Sequence, residues 1–455
     1  MQWGWSFNPY RVVWGVRNDG KILSLTYVQE QEVRGWARHD TNGLAVSVAI
    51  ASEPPANAPY FIVKRYVLGK GVWVYMQERM DNRLWQNVEE SFCLDSALSY
   101  PQPAPNANLT ASAAQGIGGV KLGQIILGGS DYSVTPAGVV VDDAGTGQGA
   151  AVTSFTVMAG AITDLTITPG IGYGAPRLVV TDATGSGAVV SLVVDNSVTF
   201  TADSGVFDGV DTGVPGQVIR MGGGIGTVSS YVSPTQIIAQ VPPQSAITVT
   251  VPNDPNVMPV PAASGTWTIT TPVGSVSGLS HLEGMAVNAL CDGTPVLGLM
   301  VENGMVTLPN PASQILVGLP FIAQAQSMHA ELPGEMIQGD RKRIAGVTVR
   351  LANSRGIYVG QDQPVAAQQR NQQELPWNVK PNFMTQLTEV QALAGAGNAI
   401  PLFSGDKYVL TAGDYQTTDG QPSPGMVGVL QVLPLPCEIL AFIPQLVLGD
   451  QPRAN

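Results

Sequence analysis

The dipeptide Asp19-Gly20 lies between two runs of alternating apolar residues, RVVWGVR before it and ILSLTY after it. In the first run Val12, Trp14 and Val16 share one parity, which is the period of two that a β-strand requires. Asp-Gly between two such runs is a strong local signal for a β-hairpin. The stretch therefore predicts paired antiparallel strands, with Trp14, Tyr27 and Trp36 as packing residues.

Further short runs of the same kind continue to residue 80: GWARHD, LAVSVAIAS, YFIVKRYV and VWVYMQERM. Turns are predicted at Asn42-Gly43 and at Gly69-Lys70-Gly71. About four strands in about 45 residues are typical of one β-propeller blade, or of a meander of similar build. One blade cannot bury both of its faces. Residues 1–100 are therefore predicted to form a propeller-blade-like β region that needs neighbours from this chain or another.

The composition favours strands throughout. The 455 residues include 52 Gly and 34 Pro, and only 12% of them are charged, while 44% are hydrophobic. We therefore predict a mainly β chain, in which a partial propeller region is joined by sandwich-like or barrel-like β domains. With a net charge of −12, no broad basic face of the kind with which proteins bind nucleic-acid phosphates is expected.

Composition shifts also predict domain boundaries. Residues 101–116 are rich in Pro, Ala and Asn without periodicity, which is typical of a linker. Residues 117–272 form a Gly-rich β insertion. Beyond it, strand-like patterns predict a β platform domain over 273–362 and a C-terminal β region over 363–455.

The Gly-rich insertion contains a weak internal repeat. Residues 132–152 and 173–190 each carry Tyr, Pro, a Val run, Asp and a Gly-x-Gly-Ala motif in that order. This predicts two copies of a small β unit. Chance similarity within a segment rich in Gly, Val and Thr is the alternative.

Residues for catalysis or metal binding are sparse. The three histidines, His39, His281 and His329, lie far apart, and His281 with Glu283 could pair on one strand face but lacks a third ligand. Two carboxylate pairs, Asp142-Asp143 and Glu89-Glu90, are sequence neighbours that a strand would point to opposite faces. We therefore predict no catalytic residue, no metal site and no cofactor.

The cysteines and the most apolar segment exclude two other classes. Cys93, Cys291 and Cys437 are odd in number and widely spaced, which predicts buried thiols rather than a disulfide framework. The segment 429–448 has the length of a membrane span, but three prolines and Glu438 interrupt it. It is therefore predicted to form buried or edge strands.

One basic cluster stands out in this acidic chain. Arg341, Lys342, Arg343 and the nearby Arg350 are predicted to form salt bridges at an interface with an acidic neighbour. Contact with DNA phosphates and a plain solvated strand edge are the alternatives. The alternation of this strand changes parity near Gly346, which predicts a β-bulge there.

Several stretches together resemble the tail nozzle proteins of short-tailed bacteriophages, the tail tubular protein B family. They cover about a third of the chain and keep the family's order: residues 11–43, 78–100, 276–293, 306–321, 339–360 and 403–449. The resemblance implies a β-propeller platform with further β domains, and it carries no catalytic residues.

This resemblance implies a structural role in the virion tail, for a protein made in the bacterial host cytoplasm. It implies a hexameric ring below the head-to-tail connector, whose lumen conducts the genome without sequence-specific binding and whose outside supports fibres or spikes. In the family a long N-terminal portion precedes the block at 11–43, whereas here ten residues do. We therefore expect a separate chain to complete the nozzle.

A different class of function is the rival hypothesis, namely a tail-associated protein that binds or depolymerises host glycans. It requires convergent carboxylates in a cleft and exposed aromatic side chains.

Overall fold

The computed structural model describes residues 2–54, 56–81, 85, 88–101, 104–112, 118–145, 147–221, 224–241, 262–328, 330–331, 342–361, 384–387, 402–411 and 425–449. Within these ranges the helical segments are four 3-10 turns: Gln29–Gln31, Leu68–Lys70, Val88–Glu90 and Ser280–Leu282. All other regular structure there is β-strand. The prediction of a mainly β chain is confirmed.

The chain divides into two compact units. One consists of Met1–Tyr100 together with Val273–Asn455, and the other is Pro101–Pro272. The first unit is therefore discontinuous in sequence. Strands are numbered along the whole chain.

The first unit begins with an antiparallel meander of four strands: β1 (Gln2–Ser6), β2 (Val12–Val16), β3 (Ile22–Val28) and β4 (Val33–His39). A three-stranded antiparallel sheet follows: β5 (Leu44–Glu53), β6 (Ala56–Val67) and β7 (Val72–Arg79). The predicted strands between residues 11 and 80 are confirmed, whereas β1 was not predicted. After these sheets comes β8 (Asp95–Ser99), which pairs with a strand beyond residue 272.

The predicted hairpin at Asp19-Gly20 is confirmed. The amide of Gly20 donates to the carbonyl of Arg17 at 3.1 Å, and Gly20 has a φ of +80°. A Cβ at this position would come within 2.8 Å of the Leu44 side chain. Glycine is therefore required both by the turn conformation and by the close approach of β5.

The meander and the three-stranded sheet share one hydrophobic core. Trp14 and Val16 of β2, Ile22 of β3 and Phe61 and Val63 of β6 are buried together in it. The meander thus does not continue into a fifth strand, because the chain leaves it after β4 and forms the opposing sheet. The inner face of each sheet is covered by the other.

One charged side chain lies on the buried face of β6. Arg65 is 0% exposed, and its Nε and Nη2 each donate to the Glu78 carboxylate at 2.6 Å. Its Nη2 also donates to Thr41 Oγ1 at 2.7 Å, and its Nη1 donates to the carbonyl of Asn42. Asp95 Oδ2 lies 4.0 Å from Nη2. The guanidinium therefore fastens the β4–β5 connection and β7 to β6.

The second unit begins with β9 (Leu109–Ser112), which lies within the segment predicted to be a linker. Six strands follow in two sets of three. The first set is β10 (Gly119–Ser130), β11 (Ala137–Asp142) and β12 (Ala151–Met158). The second set is β13 (Ala161–Thr168), β14 (Pro176–Thr181) and β15 (Ser186–Asp195).

These two sets pair reciprocally. The first strand of one set pairs with the last strand of the other, so that β10 pairs with β15 and β12 with β13, while the two middle strands, β11 and β14, pair with each other. The segments that the sequence repeat relates therefore hold equivalent positions about a local pseudo-twofold axis. We call residues 118–196 the repeat module.

The six-stranded sheet of the second unit is formed by β9 and five later strands: β16 (Ser197–Ala202), β17 (Val218–Met221), β18 (Gly224–Ser233), β19 (Gln236–Gln240) and β20 (Trp267–Thr270). Its strand order is β20-β17-β18-β19-β16-β9. Trp267 is buried, and its Nε1 donates to the carbonyl of Ala107 at 2.7 Å. Leu109 also forms an antiparallel bridge with Ala262, so the two edges of this sheet curve towards each other into a half-barrel.

After the second unit the chain returns to the first. It forms β21 (Val273–Ser277), β22 (Ala286–Cys291), β23 (Thr294–Met300), β24 (Met305–Ala312) and β25 (Ile315–Leu319). One sheet has the order β23-β22-β25-β8, and β21 pairs with β24. Both sheets contribute to one core, which includes Val276, Val287, Val306 and Val317.

The last strands are β26 (Ala323–Gln326), β27 (Lys342–Ser354), β28 (Tyr358–Gln361), β29 (Met384–Gln386), β30 (Phe403–Leu410), β31 (Val427–Gln431) and β32 (Glu438–Leu448). They form two sheets around a common core, with the orders β26-β31-β28-β29 and β30-β27-β32. The expected domain boundary at residue 362 falls inside these sheets, because β27 and β28 pair with strands on its far side.

The bulge near Gly346 is confirmed, since the pairing of β27 with β32 shifts register between Ile344 and Gly346. The Tyr408 ring lies across Gly346, and a Cβ there would approach Tyr408 Cζ to 2.7 Å. The apolar segment 429–448 lies in the buried strand β31 and the edge strand β32, as predicted. Among the described residues, no helix is long and apolar enough to span a membrane.

Candidate assembly interface

The outer face of the β1–β4 meander carries an apolar row across all four strands. The register pairs Trp5 with Val13, Val13 with Leu25, and Leu25 with Trp36. The adjacent row brings Trp3 and Leu23 to the same face through Gly15. We call this surface the tryptophan face, and it consists of Trp3, Trp5, Val13, Leu23, Leu25 and Trp36.

The tryptophans of this face are exposed. Trp3 is 72% exposed, Trp36 69% and Trp5 39%, whereas Trp14 on the opposite face of the sheet is 7% exposed. Trp14 is therefore a packing residue as predicted, but Trp36 remains largely exposed in the part of the chain that the structure describes. Contiguous exposed apolar surface of this kind marks sites of interaction between proteins.

Arginines lie around the tryptophan face. Arg38 belongs to the row of Trp3 and pairs with Asp40 at 3.0 Å. The Arg34 guanidinium lies 5.6 Å from the centroid of the Tyr27 ring. Arg11 donates to Glu30 at 2.6 Å, and this hydrogen bond lowers the pKa of the Glu30 carboxyl. A tryptophan centre with an arginine-rich rim is the composition typical of interface hot spots.

The outer face of the β5–β7 sheet is a second exposed aromatic surface. Tyr66 pairs with Trp73 and Lys64 with Tyr75 across β6 and β7. The Lys64 Nζ lies 5.2 Å from the Trp73 ring centroid and 5.8 Å from that of Tyr75. Trp73 is 51% exposed and Tyr75 is 62% exposed. We call these four residues the lysine–aromatic face.

The other end of the same sheet face is polar. Arg79 Nε donates to Glu53 Oε2 at 2.8 Å, and the Tyr60 hydroxyl donates to Glu53 Oε1. Both hydrogen bonds lower the pKa of the Glu53 carboxyl, and the one from Tyr60 has the larger effect. The β5–β7 sheet therefore presents an aromatic surface bordered by paired charges.

The predicted basic cluster does not form one exposed surface among the described residues. Lys342 is 2% exposed, and its Nζ donates to the carbonyl of Ala330 at 3.2 Å. Arg343 is half-buried, and Arg341 lies outside the described residues. Arg350 is exposed and donates to both oxygens of Asp406, at 2.7 and 2.9 Å. Its acidic neighbour therefore belongs to the same chain, on the adjoining strand β30.

The histidines that are described have separate structural contacts. His281 lies in a 3-10 turn, and its Nε2 is 3.1 Å from the carbonyl oxygen of Ser96. The Glu283 carboxylate accepts hydrogen bonds from the amides of Asn303 and Gly304 at 2.9 and 2.6 Å. His39 Nε2 is 2.7 Å from Ser24 Oγ, and His329 lies outside the described residues. No group of three or more metal-ligating side chains occurs within the described ranges.

The carboxylate pairs do not converge on one point. Asp142 accepts backbone hydrogen bonds from Gly147 and Ala175, each at 2.8 Å. Asp143 instead accepts from Arg177 Nε at 2.7 Å. Glu89 is buried and Glu90 is exposed. Adjacent carboxylates thus have different environments, although neither pair lies within a strand as predicted, because Glu89 and Glu90 belong to a 3-10 turn and β11 ends at Asp142.

No protein-family model matches the chain, and no curated protein matches it significantly.

Sequence reasoning missed two of the six residues of the tryptophan face, Trp3 and Trp5, because the predicted strands begin at Arg11. QWGWS has tryptophans at i and i+2, so both Trp3 and Trp5 point to one face of β1, and this alternation was the available signal. The regular parity of its strand predicts a packing role for Trp36. Parity identifies a face of the sheet, but not whether another element covers that face.

Proposed function

We propose that this chain is a structural subunit of a bacteriophage tail nozzle. Six copies form a ring that extends the DNA-conducting tube below the head-to-tail connector and supports fibres or spikes on its outside. The observation that carries the proposal is the tryptophan face, three exposed tryptophans on one side of a small sheet. Such a surface supports assembly, and the resemblance of the sequence blocks supports this particular assembly.

The finer architecture belongs to the same proposal. The β1–β4 meander is a propeller-blade-like element whose outer face packs on a neighbouring blade from another chain. The paired sheets of residues 273–449 form the sandwich-like domains of the platform. The second unit is a domain inserted in sequence between Tyr100 and Val273.

The mechanism of the subunit is electrostatic and geometric. Each copy has a net charge of −12, so a ring of six copies surrounds its lumen with negative charge. This charge repels the negative phosphates of DNA. DNA slides through such a tube without adhering. No reaction step is required of the subunit, and no cofactor enters its role.

The proposal is tested by the oligomeric state and by the position of the chain in the particle. The purified chain, alone and mixed with the connector protein of its virion, is examined by native mass spectrometry, and the intact particle by electron microscopy with symmetry assigned. We expect sixfold rings and density for this chain directly below the connector. A chain that is monomeric in both preparations and lies elsewhere in the particle contradicts the proposal.

A second candidate function, binding of host glycans, is favoured by the lysine–aromatic face. Exposed Trp and Tyr rings on adjacent strands can stack on the apolar faces of sugar rings. Incubation of the purified chain with host surface polysaccharide distinguishes the two functions. Saturable binding that Trp73→Ala abolishes supports this candidate, and absence of binding at millimolar sugar concentration rejects it.

A further inference from the structure

Two cysteines that lie far apart in sequence flank the same hydrophobic cluster. Cys93 follows the 3-10 turn Val88–Glu90, and Cys437 immediately precedes β32. Their neighbours Leu94 and Leu435 are 8% and 3% exposed and belong to the same hydrophobic core cluster. Both cysteines belong to the first unit, one in each of its two sequence segments.

The electrostatics agree with this proximity. The pKa of the Cys437 thiol is raised to about 11. Desolvation of the sulfur is the larger cause, and the charge of a Cys93 thiolate is the smaller one. A like charge raises a pKa only over a short distance. Cys437 is exposed as a residue, in contrast to the prediction of a buried thiol, although its sulfur is partly desolvated.

Both cysteines lie outside strands, where the backbone can adjust to disulfide geometry. Residues 91–94 connect a 3-10 turn to β8, and residues 432–437 connect β31 to β32. The third cysteine is different, because Cys291 is buried at the end of β22, and burial raises its pKa to about 12.

We propose that Cys93 and Cys437 form a dithiol that a small-molecule disulfide oxidises to an intrachain disulfide. One cysteine thiolate attacks the reagent RSSR, which gives a mixed disulfide and releases one RSH after protonation. The second thiolate attacks the protein sulfur of that mixed disulfide and releases the second RSH. In sum, two protein thiols lose two electrons and two protons, and RSSR is reduced to two RSH.

The bond joins the two segments of the first unit, one on each side of the inserted second unit. It closes a loop that spans most of the chain, and long loops give the largest restriction of the unfolded state. The chain is reduced where thiols are maintained and becomes cross-linked in an oxidising medium. This inference does not depend on the proposed function.

Oxidation of the full-length chain tests the proposal. The protein is incubated with oxidised glutathione at pH 8.5, its remaining thiols are counted after denaturation, and its disulfide-linked peptides are identified by mass spectrometry. Of the three cysteines in the sequence, we expect only Cys291 to remain a thiol, with one Cys93–Cys437 linked peptide. The oxidised chain should unfold at a midpoint roughly 5–10 °C higher than the reduced chain.

Three single variants serve as controls. Cys93→Ser and Cys437→Ser should each lose the linked peptide and the rise in midpoint, whereas Cys291→Ser should keep both. Three outcomes overturn the proposal: retention of all three thiols, glutathione adducts without the linked peptide, or a cross-link between two chains.

Discussion

Asp142 and Asp182 occupy equivalent positions in the two halves of the repeat module. Asp182 accepts the amide hydrogen bond of Gly185 in its own repeat at 2.9 Å and that of Ser133 in the other repeat at 3.1 Å. Asp142 does the same with Gly147 and Ala175. Each aspartate therefore ties its own glycine turn to the beginning of the opposite repeat.

Two tyrosines complete this reciprocity. The Tyr132 hydroxyl accepts from the amide of Ala188 at 3.2 Å, and the Tyr173 hydroxyl accepts from the amide of Ala150 at 3.0 Å. Each ring lies so close to a glycine of the other repeat, Gly185 or Gly147, that no Cβ would fit there. The Tyr, Asp and Gly positions of the sequence repeat are thus its contact residues.

The first prediction concerns these aspartates. Asp142→Ala and Asp182→Ala should each lower the thermal midpoint of the second unit, by amounts within a factor of two of each other, because their contacts are equivalent. Asp143→Ala is the matched control, since the adjacent Asp143 has an exposed ion pair with Arg177 and its loss should leave the midpoint within error. Calorimetry measures all three. An equal effect of Asp143→Ala would contradict the assignment.

The contribution of Asp182 to stability depends on pH. Hydrogen bonds hold the pKa of Asp182 well below its ordinary value of 3.8. The largest effect comes from the Ser133 side chain and the second largest from the Gly185 amide. Its contribution to stability is present above 3.8 and is lost as the pH falls through the lower folded-state pKa. The destabilisation caused by Asp182→Ala should therefore shrink below pH 3.8, which acid titration of the unfolding midpoint measures.

The second prediction concerns the buried Arg65. Glu78→Gln removes the anion that faces a fully buried guanidinium, and it should lower the free energy of unfolding of the first unit by about 3–5 kcal/mol. Chemical denaturation followed by tryptophan fluorescence measures this loss. Asp406→Asn is the control, because the pair of Arg350 and Asp406 is exposed and should contribute little. Equal losses of stability in the two variants would contradict the expectation that breaking a buried ion pair costs more than breaking an exposed one.

The third prediction follows from Asp95, whose Oδ2 has no hydrogen-bond partner among the described residues. Burial raises the pKa of this carboxyl above 3.8, although a hydrogen bond with Thr41 and the charge of Arg65 lower it in part. The folded state therefore binds the proton more tightly than the unfolded state. This favourable contribution is full below pH 3.8 and is lost as the pH rises through the folded-state pKa.

Asp95→Asn should consequently be more stable than the natural chain at pH 7, and this advantage should decrease towards pH 4. Parallel denaturation curves at several pH values measure the difference between the two proteins. A difference that is independent of pH would show that the carboxyl titrates alike in both states.

The fourth prediction concerns assembly. Trp36→Ser and Trp3→Ser should leave the unfolding midpoint of the isolated chain nearly unchanged, because both side chains are mostly exposed. If the tryptophan face is the contact between subunits, each variant should weaken association by about 2 kcal/mol or more, or at least roughly 30-fold in the dissociation constant. Sedimentation at several concentrations measures it.

Val134→Ser is the control for assembly, since Val134 is 83% exposed and lies in the repeat module. It removes an exposed apolar side chain without changing the tryptophan face. Equal weakening by this variant would mean that general surface hydrophobicity, rather than this face, drives association.

Local patterns were sufficient to predict the strands between residues 11 and 80, because alternation and turn residues act over a few positions. The exit of the chain from the meander after β4 was not predictable in this way, since it depends on Trp14 and Phe61 meeting in a shared core. The boundary expected at residue 362 failed for the same reason. Strand β27 pairs with residues that lie 49 or more positions further along the chain.

The candidate site was only partly predictable. Lys342 and Arg350 belong to one basic cluster in sequence, yet one is buried and the other is paired with Asp406. The difference arises from the bulge at Gly346 and from the strands on either side, which sequence spacing does not specify. Similarly, nothing in the spacing of Cys93 and Cys437 indicates that they flank the same hydrophobic cluster.

The discontinuity of the first unit has a consequence for synthesis. Strand β8 ends at Ser99, and its partner β25 ends at Leu319, so the ribosome adds 220 residues between them. At about 5–20 residues per second, this takes roughly 10–45 s. During that interval the second unit can finish folding on the nascent chain. The edge of β8 and the apolar side chains around Leu94 remain exposed to solvent until β25 is synthesised. A chaperone that recognises exposed strands would have its longest opportunity there.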